Sequence, residues 1–222
     1  HVVQNALAAL GAAWFSGADM AEVARAFATF SAEKGRGARH LLDLAGGPVT
    51  LIDESYNANP ASMRAALSLL QSAETGEGGH RIAVLGDMLE MGKFSEKVHR
   101  ELKPAIIESG VDIVCLAGPE MRHLTDEIGS DLTVIYRETA EELADWLKGN
   151  LQPGDAVMVK SSFGIGFGKI VAALIEAWPP LPVQEPAGTE PAEELPRPEE
   201  QSEGSAEATD EAIPDVAPET KE

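Results

Sequence analysis

The sequence predicts an α/β fold in which a mostly parallel sheet is covered by helices on both faces. Apolar runs of four or five residues, the length of a buried strand, alternate with segments whose apolar side chains recur at helical spacing. Strands that alternate with helices of about ten residues indicate parallel strands joined by helical crossovers. Gly, Pro, Asn and Asp residues, which are typical of turns, separate these segments.

The composition disfavours several classes of protein. The 222 residues carry 17 basic and 37 acidic side chains, and this net charge of −20 argues against a nucleic-acid surface or an anionic membrane surface. No apolar run approaches the roughly 18 residues of a membrane-spanning helix. The single cysteine, Cys115, lies in an apolar run, so we expect a buried structural thiol. These features predict a soluble, cytoplasmic protein, and we expect it to be a monomer.

The acidic charge is concentrated in residues 179–222. This segment holds 13 acidic and 2 basic side chains, and 9 of the 14 prolines. Such a composition buries too little apolar surface to offset the entropy of ordering the chain, so it predicts a disordered acidic tail. The folded part is therefore expected to end at residue 178.

Residues 1–37 are predicted to contribute two helices and a hinge. Apolar side chains up to Trp14 recur at helical spacing, and Asp19 is placed to cap a second helix that continues to Phe30 with its apolar side facing inward. Two short helices cannot form a core alone, which suggests the end of a domain whose larger part lies upstream. The basic segment 34–40 is either a hinge with solvated charges or a ligand-binding loop.

Residues 38–178 are predicted to form the α/β domain itself. A strand at Leu41–Leu44 should pair with one at Val49–Ile52 across a glycine-rich turn. Further strands are expected at residues 81–85, 113–117, 132–136 and 156–159. Helices are expected after Asn59, at 119–128, from a capping box at Thr139 to Lys148, and up to Trp178. Another is expected at 95–109, with Ser95 as its cap and with either a kink or a late start at Pro104.

A polar loop follows the strand that ends at Ile52. Positions 53–63 read Asp-Glu-Ser-Tyr-Asn-Ala-Asn-Pro-Ala-Ser-Met. Asn59 is placed as a helix N-cap, with Pro60 as the first helical residue. Open α/β sheets bind ligands at the carboxyl ends of their strands, so the polar side chains of this loop form a candidate ligand site. The alternative is a capped turn that binds nothing.

Two more loops leave the carboxyl ends of predicted strands. Asp87 and Glu90 lie in the first loop, and His99 lies on the helix that follows it. These three residues are interpreted either as a metal or acid–base group or as residues that position the loop or contact a substrate. The glycine-rich segment 160–169 lacks the Gly-x4-Gly-Lys-Ser/Thr spacing of a phosphate-binding loop.

The loop at 53–63 resembles the C-terminal-domain signature of the Mur ligases, with Glu54 where that family usually has a second Asp. Residues 86–92 are similar to the family's Gly-Asp-Met-x-Glu-Leu-Gly loop. Lys160 matches the lysine of its Val-Lys-Gly-Ser-Arg segment, although Ser161 and Phe163 replace the Gly and the Arg.

The resemblance also implies a domain organisation. Residues 1–37 would be the end of a truncated ATP-binding central domain and its hinge, because residues 1–10 are similar to the helix that closes that domain. Residues 38–178 would be the Rossmann-like C-terminal domain, followed by the acidic tail at 179–222.

The resemblance implies roles for ten residues. The residues expected to contact ATP or to take part in domain closure are Asn5, Arg36, Asp53, Tyr56 and Asn57. The guanidinium of Arg36 would reach the phosphates, whose oxygens its planar fork suits. The candidate substrate contacts are Asn59, Asp87, Glu90, His99 and Lys160.

Within the family, the signature is most similar to the members that join D-Ala-D-Ala to UDP-N-acetylmuramoyl-tripeptide. These use ATP and Mg²⁺ and proceed through an acyl phosphate. The family's phosphate loop and metal ligands would lie upstream of His1, so this chain alone is expected to be inactive. Two alternatives are a non-enzymatic Rossmann-like binding module whose acidic tail recruits a partner, and a related ligase similar to folylpolyglutamate synthetase. The Tyr-Asn-Ala-Asn-Pro pattern argues against the second alternative.

Overall fold

The computed structural model describes residues 2–28 and 33–182. The predicted end of the second helix at Phe30 and the predicted acidic tail beyond Pro182 lie outside these residues. None of the described helices combines the length and the apolar character that a membrane span requires.

The described chain alternates helices and strands, as the sequence predicts. The strands are β1 (Ala38–Leu42), β2 (Val49–Glu54), β3 (Arg81–Gly86), β4 (Ile113–Ala117), β5 (Thr133–Arg137) and β6 (Ala156–Lys160). The helices are α1 (Val2–Phe15), α2 (Met20–Ala28), α3 (Pro60–Gln71), α4 (Ser95–Arg100), α5 (Lys103–Glu108), α6 (Met121–Ile128), α7 (Ala140–Asn150) and α8 (Gly168–Ala177). Short 3₁₀ helices at Gly92–Phe94 and Phe163–Ile165 precede α4 and α8.

The strands form one sheet in the order β1-β2-β6-β3-β4-β5. β1 runs antiparallel to β2, and the other neighbouring pairs are parallel. Since β6 lies between β2 and β3, the carboxyl ends of these three strands meet at one edge, where Lys160 pairs with both Glu54 and Leu85. The chain leaves β2 into a helix on one face and leaves β6 into a helix on the other. This edge is therefore a topological switch point, where open α/β sheets bind ligands.

The core has two layers, one on each face of the sheet. Successive strand residues point to opposite faces, so Leu85 belongs to one layer and Val84 to the other. α3, α5 and α6 cover the first face, and α7 and α8 cover the second. Burial of each large aliphatic side chain in such a layer contributes about 1.5–3 kcal/mol. The predicted fold class, a mostly parallel sheet with helices on both faces, is confirmed.

α3 begins where its sequence predicts. Asn59 Oδ1 accepts the Ser62 N–H at 2.9 Å, and Ser62 Oγ accepts the Asn59 N–H at 3.0 Å. This reciprocal capping box satisfies two backbone donors of the first turn, which Pro60 opens without needing one of its own. The buried residues of the helix are Met63, Ala66, Leu67 and Leu70.

Two helical predictions differ from the structure in detail. The helix expected at 95–109 is divided into α4 and α5, and Pro104 lies in the first turn of α5, which agrees with the late start that was one of the two expected outcomes. A proline inside a helix removes a backbone donor and clashes with the preceding turn. Ser95 is the first residue of α4 rather than its cap. In α2, no described residue is buried, and Phe27 is 36% exposed, so its apolar side does not face a core.

The outer edge of the sheet also differs from the prediction. The first strand begins at Ala38 rather than Leu41 and ends at Leu42. The chain after α8 then runs along this strand: the Leu181 N–H donates to Leu41 O at 2.8 Å, and the Asp43 N–H donates to Pro179 O at 3.3 Å. Unpaired backbone groups of an edge strand readily accept such an extended segment. Ordered contacts therefore continue past the predicted boundary at residue 178.

Candidate functional site

Asp53, in β2, is fully buried and anchors residues 35–37, which belong to the segment for which a hinge is one of the two predictions. Its Oδ2 accepts the Gly35 N–H at 2.9 Å, while Oδ1 accepts the Ser55 N–H at 3.1 Å and the Ser55 O–H at 2.6 Å. The Gly37 N–H donates to Asp53 O at 2.8 Å, and the Tyr56 N–H donates to Gly35 O at 3.1 Å. The buried carboxylate is satisfied by these donors. Asp53 thus holds residues 35–37 against β2, and its part in ATP binding or domain closure stays a prediction.

Arg36, Tyr56 and Phe163 form an exposed cluster at the same edge. The Arg36 Cζ atom lies 4.3 Å from the centroid of the Tyr56 ring, within cation–π distance. The Phe163 ring centroid lies 5.6 Å from that of Tyr56, with the rings tilted by 49°. Tyr56 is 45% exposed and Phe163 is 74% exposed. The Arg36 guanidinium is also accessible to solvent. Its ion pair with Glu33 at 3.9 Å lies on the surface, where such pairs contribute little to stability.

Lys160, at the end of β6, is 2% exposed and lies beneath the polar loop. Its Nζ donates to Asn57 O at 2.8 Å and lies 3.6 Å from Glu54 Oε2. Burial lowers the pKa of Lys160, and the Glu54 carboxylate opposes that shift. The ammonium group holds the backbone of the loop, and the substrate contact suggested for Lys160 stays a prediction.

Ser162 joins three loops and was not selected from the sequence. Its Oγ accepts the Leu89 N–H at 2.9 Å and donates to Ala58 O at 3.4 Å, and its N–H donates to Asp87 O at 3.1 Å. One serine in a glycine-rich segment gives little signal by itself. Its place directly after a buried strand, at the edge where ligands bind, is the signal that could have identified it.

Asp87 is buried and caps α6. Its Oδ1 accepts the Met121 N–H at 2.9 Å, and its Oδ2 accepts the Glu120 N–H at 3.3 Å. Burial raises the pKa of Asp87, whereas hydrogen bonds from these two amides lower it. Gly118, at φ 115°, leaves room for the carboxylate, because a Cβ there would collide with it. Asp87 therefore ties the loop after β3 to the start of α6.

His99 is also buried and holds the same loop from the other side. Its Nε2 accepts the Met88 N–H at 2.9 Å, so Nδ1 carries the proton and donates to Ser95 O at 2.7 Å. Glu90 is exposed and has a left-handed backbone, with φ 65°. Within residues 2–28 and 33–182, no group of three His, Cys, Asp or Glu side chains could hold a metal ion. Of the two interpretations of this loop, the geometry supports the positioning role for Asp87 and His99.

The three candidate asparagines lie in different settings. Asn57 is exposed, and its Oδ1 accepts the Ala58 N–H at 2.8 Å. Asn59 is occupied as the cap of α3. Asn5 is exposed on α1, and none of the hydrogen bonds described for the loops at the sheet edge involves it. The structure thus joins Arg36 to the polar loop but does not join Asn5 to it.

The fold and the site together define a class of protein. The exposed guanidinium suits the oxygens of a phosphate or carboxylate, and the adjacent rings offer faces for a planar group. Both lie at the switch point of a parallel α/β sheet. The chain therefore contains a Rossmann-like domain with exposed polar and aromatic side chains at the carboxyl edge of its sheet, where folds of this class bind ligands.

Comparison with known proteins gives the family. Residues 35–163 match the family described as Mur ligase, glutamate ligase domain. The matched range includes Arg36, the loops after β2 and β3, and the first residues after β6. The chain belongs to the Mur ligase family.

Several curated relatives share one name, UDP-N-acetylmuramoyl-tripeptide–D-alanyl-D-alanine ligase. The protein of Bacillus subtilis (strain 168) is 32% identical over 181 residues, which cover 80% of this chain and 38% of the relative. That of Mycobacterium tuberculosis (strain H37Rv) is 32% identical over 196 residues, which cover 79% and 38%. The chain thus spans about two fifths of the length of these relatives.

Solved structures show the same fold. MurF from Acinetobacter baumannii superposes with a TM-score of 0.65 at 26% identity, over 79% of this chain and 37% of the other. MurF from Thermotoga maritima in complex with ADP gives a TM-score of 0.54 at 23% identity, over 67% and 32%. The second likeness bears on the fold alone.

Proposed function

We propose that this chain is the C-terminal part of an ATP-dependent ligase that joins D-Ala-D-Ala to UDP-N-acetylmuramoyl-tripeptide, a step of peptidoglycan precursor synthesis. The shared name of relatives at 32% identity supports the choice of substrates. In this reaction ATP phosphorylates the tripeptide carboxylate, and the amine of D-Ala-D-Ala attacks the acyl phosphate and releases phosphate. The enzyme is proposed to be a cytoplasmic monomer.

The observation that carries the proposal is the exposed Arg36 guanidinium, which is stacked on Tyr56 at the carboxyl edge of the sheet. The hinge that bears Arg36 is fixed by the buried carboxylate of Asp53. Among the described residues, the only ion pair of this guanidinium is with Glu33, a surface residue, and its other contact is the Tyr56 ring. The guanidinium suits contact with phosphate oxygens that arrive from another part of the enzyme.

ATP and Mg²⁺ are proposed to bind mainly outside this chain, on a domain that closes over the sheet edge. The described residues do not fit a metal site, since no group of three ligating side chains occurs among them. On closure, Arg36, Tyr56 and Asn57 would meet the nucleotide, and Glu90 would remain exposed to contact a substrate. Closure excludes water, which protects an acyl phosphate from hydrolysis.

The test is a ligase assay on the product of the complete open reading frame that encodes this chain. We expect phosphate release that requires ATP, UDP-N-acetylmuramoyl-tripeptide and D-Ala-D-Ala together. The 222-residue chain alone should release none. Activity of the full product with a glutamate acceptor in place of the dipeptide would contradict the proposed substrates. Turnover by the 222-residue chain alone would contradict the proposal that ATP and Mg²⁺ bind mainly outside this chain.

A further inference from the structure

The loop that presents Tyr56 is held by side chains that follow β6. Lys160 Nζ donates to Asn57 O at 2.8 Å, and Ser162 Oγ donates to the next carbonyl, Ala58 O, at 3.4 Å. Both contacts join segments more than a hundred residues apart in the chain. Two consecutive carbonyls of one loop are thus fixed from a single segment at the end of the central strand.

We infer that Lys160 is a positioning residue that holds the Arg36–Tyr56 stack in place for the nucleotide. This inference rests on the proposed function. Lys160 acts through the carbonyl of Asn57, the residue after Tyr56, and the Tyr56 N–H in turn donates to Gly35 O of the hinge. The contacts therefore run from Lys160 through the loop to the hinge that carries Arg36.

The surroundings of Lys160 fit this role. A buried ammonium group is unfavourable unless it is paired and hydrogen-bonded. The partners of Lys160 are the Asn57 carbonyl and the Glu54 carboxylate, whose side chain is 15% exposed. Since Lys160 itself is 2% exposed, its ammonium group cannot contact a ligand while these bonds persist.

The test removes the ion pair as a unit. Lys160→Met alone would leave the Glu54 carboxylate without its partner and could unfold the domain for that reason. The double variant Glu54→Gln with Lys160→Met removes both charges and keeps the side-chain volumes similar. The matched control is Glu141→Gln with Lys169→Met, which removes an exposed ion pair of 2.8 Å between α7 and α8.

The first readout uses the 222-residue chain and does not depend on ligase activity. Amide hydrogen exchange of residues 55–59 should accelerate about tenfold to a hundredfold in the double variant, the loss expected for a hydrogen bond to a charged group. Exchange in β3 and β4 should be unchanged, which shows that the core remains folded. The upfield NMR shift of the Arg36 side chain over the Tyr56 ring should shrink. The control variant should behave as wild type.

The second readout uses the full ligase. The KM for ATP should rise at least tenfold, while the KM for D-Ala-D-Ala changes less than twofold. Unchanged loop exchange and an unchanged Arg36 shift would overturn the positioning role whatever the ligase does. A loosened stack with an unchanged KM for ATP would also overturn it. A wild-type product without ligase activity would refute the proposed function instead, and the first readout would still decide whether Lys160 positions the stack.

Discussion

Asp53→Asn should detach the hinge from β2. The asparagine keeps the shape of the side chain and one acceptor, which can still serve Ser55. Its amide group then faces the Gly35 N–H, so a hydrogen bond of 2.9 Å to a carboxylate is replaced by two opposed donors. Asp53 is fully buried, so water cannot take the place of the lost acceptor.

The magnitude follows from the hydrogen bonds that change. Loss of a charge-assisted bond to Gly35 is expected to remove about 1.5–3 kcal/mol, and the two bonds to Ser55 weaken when the acceptor becomes neutral. We expect the free energy of unfolding to fall by about 2–4 kcal/mol, or Tm to fall by about 5–15 °C for a domain of this size.

The assay is urea denaturation of the 222-residue chain, combined with amide exchange at Gly35, Gly37 and Tyr56. These amides should exchange faster, because all three of their hydrogen bonds join residues 35–37 to β2 or to the loop that follows it. Asp43→Asn is the matched control, since Asp43 is exposed and should change stability by less than about 0.5 kcal/mol. A loss below about 1 kcal/mol with unchanged exchange at the three amides would refute the anchoring role of Asp53.

Three further predictions concern other parts of the chain. Arg36→Ala should lower kcat/KM of the full ligase by about one to two decades, because a phosphate contact is lost. Arg39→Ala, at another exposed arginine, should leave kcat/KM unchanged. Equal effects of the two substitutions would contradict the proposed phosphate contact of Arg36. Truncation after residue 182 should change Tm by about 1 °C at most. Truncation after residue 178 should lower the free energy of unfolding by a further ~1–2 kcal/mol, because it removes one backbone hydrogen bond to Leu41 of β1 and one from Asp43, the residue after β1; urea titrations of both truncated chains will measure the difference. Burial raises the pKa of Cys115 from 9.0 to about 12, so the thiol loses its proton at lower pH in the unfolded state than in the folded state. The free energy of unfolding should therefore fall between these pH values by up to about 1.4 kcal/mol per pH unit. Cys115→Ala should flatten this pH dependence.

The position of the candidate site could be predicted from the sequence, because the site lies where strands end. The polar loop after β2 could be placed at the ligand-binding edge because a buried strand precedes it and a capped helix follows it. The chemical roles of its residues could not. The carboxylate of Asp53 and the ammonium group of Lys160 have the residue types of ligand contacts, yet both are buried, and each is bonded to backbone groups of other segments.

The sequence by itself determined the fold class, the positions of most strands and the start of α3. These features depend on periodicity and on contacts over three or four residues, such as the capping box between Asn59 and Ser62. Only the tertiary structure decided that β6 lies between β2 and β3, which brings Lys160 under the polar loop. It also decided which polar side chains are exposed. Their partners are distant in the chain, by 103 residues for Lys160 and Asn57, and no local pattern specifies a contact that forms only when the crossovers place two strands side by side.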